Sequence, residues 1–127
     1  MKTIPKPDLA AYRETILLPS SELVGRVADV LGRKLTAYIG GAKDVHAVDR
    51  WIAGDSLYGD ARERFQLAFQ ITQMLRSYDS DRVIQGWMTG MNPELNDRVP
   101  LRLLREGDLE KVGPELRRAA RKFVAEG

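Results

Sequence analysis

The sequence predicts an all-α fold: a small helical domain with a helix-turn-helix-like N-terminal part and a helical C-terminal part. Three observations lead there. Apolar residues recur every three or four positions in successive stretches, most of them with Ser or Asp before or Gly after, and no segment alternates with period two. With 43% hydrophobic and 30% charged residues in 127, the chain has the balance of a globular domain. A chain of this length buries roughly two-thirds of its unfolded surface, so it needs no disulfide or metal to hold a core.

Three regions are expected: an N-terminal arm over 1–19, a helical region over 20–78 and a second helical region over 79–127. The arm carries Pro5, Pro7 and Pro19 without periodicity. Ser20 and Ser21 offer an N-cap for Leu23, Val24, Val27, Val30 and Leu31, which close at Gly32. A short helix over 34–39 stops at Gly40-Gly41. Asp44 is placed to cap the next, with Val45, Val48, Trp51 and Ile52 inward and Gly54 at its end.

Asp60 is expected to cap the longest helix, about 61–77. Phe65, Ala68 and Phe69 form one apolar stripe on it, and Leu67, Ile71, Met74 and Leu75 a second. A helix apolar on two sides belongs at the centre of its domain. Asp79 and Ser80 start another helix, with Val83, Ile84, Trp87 and Met88 buried and Gly90 as its stop. Asn92-Pro93 opens a loop, because the residue before proline avoids the helical region. Pro100 suits a first helical position before Leu101, Leu103 and Leu104. Asp108 caps a last helix, interrupted or kinked at Gly113-Pro114, whose far half aligns Leu116, Ala119, Ala120, Phe123 and Val124.

The residue inventory argues against an enzyme. The only histidine is His46, on a short helix, and there is no cysteine. A hydrolytic triad, a thiol nucleophile and a cysteine-ligated metal site therefore lack their parts. Gly40-Gly41 has neither the lysine of a phosphate loop nor the spacing of a dinucleotide turn. Asp79-Ser80-Asp81 reads as a helix start before it reads as a cation site. We expect no cofactor and no metal. Without an apolar run for a membrane span or a secretion signal, we expect a cytoplasmic protein with no membrane partner.

Binding features remain. Residues 34–54 hold two short helices joined by a glycine turn, the outline of a helix-turn-helix. Lys43, His46 and Arg50, with Asp49, would face outward from it as the DNA-reading set. Over 20–60 there are five basic and six acidic residues, which is poor for neutralising phosphates. The densest basic cluster is Arg117, Arg118, Arg121 and Lys122 on the last helix. Cations there complement the helix dipole, and a solvated face is one reading of them. The other is a binding surface ending in the tail Ala125-Glu126-Gly127.

Residues 83–127 carry a recognisable order. Trp87-Met88-Thr89-Gly90-Met91-Asn92-Pro93-Glu94-Leu95 is followed by Pro100-Leu101-Arg102-Leu103-Leu104 and Arg105-Glu106-Gly107-Asp108. This resembles the toxin-binding domain of the Xre/MbcA/ParS antitoxin family. Upstream, Leu35 to Gly41 and Val48 to Gly54 resemble that family's Xre-like helix-turn-helix portion, so the likeness covers about 23–127. Two departures bear on DNA. The turn Gly40 to Asp44 is longer than in Xre-like domains, and Asp55-Ser56-Leu57 stands where DNA-binding relatives often carry basic residues.

The resemblance implies an antitoxin whose partner is a RES-domain, NAD-degrading toxin, inhibited by occlusion of its NAD pocket. It also implies assembly as a homo-oligomer or as a toxin–antitoxin hetero-oligomer. Trp87, Asn92, Pro100, Leu103 and Leu104 are expected to be structural. Toxin contact is expected from Arg102, Arg105, Arg117, Arg118, Arg121, Lys122 and Gly127. The alternative is a transcriptional repressor of its own operator, acting through Lys43, His46 and Arg50.

Overall fold

The structure, a computed structural model, describes residues 18–126. The expected arm up to residue 17, and Gly127, lie outside the described residues. The described residues form α1 (Ser20–Leu31), α2 (Arg33–Ile39), α3 (His46–Ile52), α4 (Ala61–Arg76), α5 (Asp81–Thr89), α6 (Pro100–Glu106) and α7 (Leu109–Glu126). A single 3-10 turn, Pro93–Leu95, joins α5 to α6, and no strand forms among the described residues. The all-α expectation is met.

Helix α4 is the axis of the domain. It packs on α1, α2, α5, α6 and α7, and both of its apolar stripes are buried: Phe65, Ala68 and Phe69 on one, Leu67, Ile71, Met74 and Leu75 on the other. Covering it from opposite sides are Leu23, Val24, Val27 and Val30 of α1 and Val112, Leu116, Ala119 and Ala120 of α7. Polar groups taken inside find partners. Thr36 Oγ1 donates to the Gly32 carbonyl at 2.7 Å, Thr72 Oγ1 to the Phe69 carbonyl at 3.1 Å, and Gln70 Oε1 accepts from Arg117 at 3.3 Å. Burial of these groups therefore leaves no desolvation cost uncompensated.

Two helix starts differ from expectation, and in each an arginine holds the expected capping oxygen. Pro19, not a serine, precedes α1, and its carbonyl accepts from the Glu22 and Leu23 amides. Ser20 lies inside the helix, with its hydroxyl accepting from Arg62 Nη1 at 2.8 Å. Asp60 makes no side-chain cap on α4; Arg64 Nε and Nη2 take both its oxygens, at 2.9 and 2.7 Å. A bidentate guanidinium pair outcompetes a single amide. Ser80 does accept from the Val83 amide, and Asp44 and Asp108 accept from the amides of His46 and Glu110.

Three further expectations are corrected. Ile52, expected inward, is 43% exposed at the end of α3. Val83 is 40% exposed; on α5, Ile84 and Met88 are buried in the core and Trp87, partly buried, packs against it. Helix α7 continues through Pro114, so of the two alternatives at Gly113-Pro114 the interruption does not occur. Proline removes the donor that would reach the carbonyl of residue 110, yet Glu110 and Pro114 are both exposed, so that side of the turn is solvated.

Two glycines permit close approach. A Cβ on Gly40 would stand 2.5 Å from Trp51 Cη2, and one on Gly107 would stand 2.6 Å from the Leu103 carbonyl. The first seats the Trp51 indole edge-on to Phe65, with ring centroids 5.7 Å apart. The second lets α7 start directly after α6.

Candidate functional site

Of the expected partner-binding residues, Arg102 and Lys122 line hollows where α5, the 92–98 turn, α6 and the second half of α7 meet. Helix α5 stops at Gly90, whose extended backbone (ψ 158°) throws Met91 clear of the surface at 75% exposure. Asn92 then organises the turn. Its side chain accepts from the Glu94 amide at 2.9 Å, its backbone N–H donates to the Arg98 carbonyl at 3.2 Å, and its carbonyl accepts from Asp97 at 2.9 Å. Asn96 and Asp97 both adopt left-handed backbone (φ 56° and 63°), which their short polar side chains tolerate. Arg98 closes the turn by donating to the Leu95 carbonyl at 2.7 Å and by pairing with Glu115 of α7.

Two hollows flank Met91. One of about 340 Å³ lies between α5 and α7, lined by Trp87, Gly90, Pro93, Ala119 and Phe123. The other, of about 510 Å³, lies against α6, lined by Val99, Leu103 and Gly107. Phe123 is held on its far side by Tyr78, with ring centroids 6.2 Å apart. At the rim Lys122 Nζ reaches Glu94 at 2.7 Å and Glu126 at 3.8 Å. The hydrogen bond to Glu94, with the charges of both carboxylates, holds the Lys122 ammonium above its ordinary pKa.

The structure separates the expected toxin contacts into two groups. Arg105 and Arg117 are half-buried and occupied. Arg105 donates to the Tyr38 carbonyl at 3.3 Å and lies 4.5 Å over the Tyr38 ring, and Arg117 is the partner of Gln70. Both tie the C-terminal helices to the rest of the core. Arg102 pairs with Glu106 at 2.9 Å, and that hydrogen bond raises its pKa. Arg118 and Arg121 are exposed on α7. Gly127 lies outside the described residues.

The expected DNA-reading residues Lys43, His46 and Arg50 are all exposed, on α3 and the turn before it. Asp49 stands among them. It pairs with Arg33 of α2 and lies 3.7 Å from His46 Nδ1. The carboxylate thus neutralises Arg33 and sets a negative charge among the residues that would have to meet a phosphate.

Met91 was not among the residues singled out for binding. A signal for it was present, since it is the one large apolar residue between a glycine helix stop and an Asn-Pro turn, where packing inward is hard. Comparison of the chain with protein-family models, with curated proteins and with solved structures gave no match.

Proposed function

We propose that the chain is an antitoxin that neutralises a RES-type, NAD-degrading toxin by binding it and covering its active site. The observation that carries this is the order Trp87, Asn92-Pro93, Pro100-Leu101-Arg102-Leu103-Leu104 and a basic last helix, which resembles the toxin-binding domain of the Xre/MbcA/ParS family. The geometry suits a protein partner. Arg118 and Arg121 are exposed on α7, and Met91 is exposed between α5 and the 92–98 turn. Exposed arginine beside apolar anchors is the usual make-up of an interface centre.

Transcriptional repression through Lys43, His46 and Arg50 is the second reading, and Asp49 weighs against it. The test is co-expression with a RES-domain toxin, reading growth, cellular NAD and a stable complex. The expected result is NAD depletion by the toxin alone and its restoration, with a co-purifying complex, when this chain is present. Unrelieved NAD depletion with no complex overturns the proposal for that toxin.

A further inference from the structure

We propose that residues 1–17 of this chain dock within the same chain, in the groove between α1 and α3. The groove, of about 730 Å³, follows α1 from Pro19 before it to Arg33 after it, with Ile52 at the end of α3 as its other wall. Gly25 keeps it open, since a Cβ there would meet nothing within 4 Å. Ala28 lines it as well, and Ile52 is 43% exposed and stands outside the core. These groups offer an occupant apolar area to bury.

The path of the chain selects that occupant. Leu18 packs on the core, and Arg62 Nη2 donates to its carbonyl at 3.0 Å while Nη1 holds the Ser20 hydroxyl at 2.8 Å. Pro19 itself lines the groove. Residue 17 is thus tethered at the groove's mouth. Such tethering gives an effective concentration of about millimolar, so weak contacts are enough to seat the segment. Length is sufficient in any conformation. The twelve residues of α1 span about 18 Å, and seventeen residues reach about 26 Å as a helix or about 55 Å extended.

Composition agrees with the path. The segment holds Ile4, Leu9, Tyr12 and Ile16 as large apolar side chains, and Lys2, Lys6 and Arg13 against Asp8 and Glu14. Three cations thus stand against two carboxylates. The groove has the reverse balance, with Glu22, Asp29 and Asp49 against Arg26 and Arg33. Glu22 lies 3.6 Å from Arg26 and Asp49 pairs with Arg33, so Asp29 is the excess charge. Opposite net charges on segment and groove favour their meeting. The hollow on the other side of α3, lined by Arg50 and Trp51, stays open. The inference is independent of the antitoxin reading.

The test is paramagnetic broadening in the isotope-labelled full chain. The sequence has no cysteine, so a single one places a nitroxide cleanly. Ala53→Cys puts it beside Ile52, and Arg118→Cys puts it on α7, across α4 from α1. The label at 53 is expected to erase amide signals over residues 9–17, and the label at 118 to spare them. Adding Asp29→Lys or Ile52→Lys, both at exposed positions outside the core, should restore the signals. No broadening from position 53, or equal broadening from both labels, overturns the proposal. So does broadening that neither lysine relieves, since the segment then lies elsewhere. Mixing spin-labelled chains with separate isotope-labelled chains is expected to leave the signals intact. Their loss in the mixture would overturn intrachain docking and give the groove to another copy's segment.

Discussion

Arg64 and Leu104 are joined across forty residues of sequence: Arg64 Nη1 donates to the Leu104 carbonyl at 2.6 Å. The guanidinium lies at the start of α4, where Asp60 chelates its other edge, and it reaches the unsatisfied carbonyl end of α6. Its side chain is only 14% exposed. A helix C-terminus leaves carbonyls without donors, and a cation there satisfies both the hydrogen bond and the dipole. Arg64→Met retains the aliphatic stem and removes the donors. It is expected to lower unfolding free energy by about 2 kcal/mol, the scale of a charged hydrogen bond, read by urea denaturation. No change in the midpoint would assign the capping of α6 to solvent.

The same arginine makes Asp60 a small acid sensor. The hydrogen bond from Arg64, aided by its charge, holds the Asp60 carboxyl below the usual aspartate range, against the opposing effect of desolvation. A carboxyl depressed in the folded state contributes stability above its unfolded pKa, and this is lost as pH falls through the folded one. Asp60→Asn is therefore expected to be less stable than the parent at neutral pH, with the gap closing below pH 3.8. Because the group is largely exposed, the gap is small. Thermal melts across an acid series measure it, and a constant gap would refute the linkage.

Gly40→Ala tests the seat of Trp51. Gly40 has φ −76°, an ordinary value, so the substitution strains no backbone. Its cost is steric alone, from a Cβ 2.5 Å from one Trp51 ring carbon and 2.7 Å from the next. Overpacking of this kind costs about 1–3 kcal/mol. Loss of the Trp51–Phe65 edge contact should also alter the near-ultraviolet circular dichroism. An unchanged spectrum and melt would show that the indole can move aside freely.

Charge reversal separates binding from folding on α7. Arg118→Glu and Arg121→Glu replace exposed residues and are expected to change the melting temperature less than Arg117→Glu does, while weakening binding to the proposed toxin partner about tenfold or more. Arg117→Glu sets a carboxylate against Gln70 Oε1 and should destabilise the fold. Isothermal titration with the toxin, beside melts of all three, tests this. Equal loss of affinity and stability in the first two would move the contact away from α7.

Truncation addresses the role of the final residues. Val124 is half-buried and packs on the core, whereas Ala125 and Glu126 are exposed. Deleting 125–127 is therefore expected to spare folding and to weaken neutralisation. Deleting from Val124 onward costs stability as well. Full neutralisation by the shorter chain would exclude an obstructing tail.

Periodicity alone determined the helices. The doubled stripe on α4, from Phe65 to Leu75, identified the central helix because only a helix contacted on two sides can bury both stripes. Asn92 was legible as the organiser of its turn, since a short amide before proline has few other uses. These are local matters, set by propensities and caps within a few residues.

What the tertiary structure decided are the contacts between residues far apart in sequence. Which oxygen Arg62 and Arg64 would take from Ser20 and Asp60, that Arg105 would lie on Tyr38 and Arg117 on Gln70, and that Arg33 would neutralise Asp49 all depend on helix placement. Sequence spacing shows which residues share a helix face, but it does not show what another helix brings to that face. The basic residues expected as one binding set were for this reason divided by packing: Arg105 and Arg117 hold the fold together, and Arg118 and Arg121 face solvent.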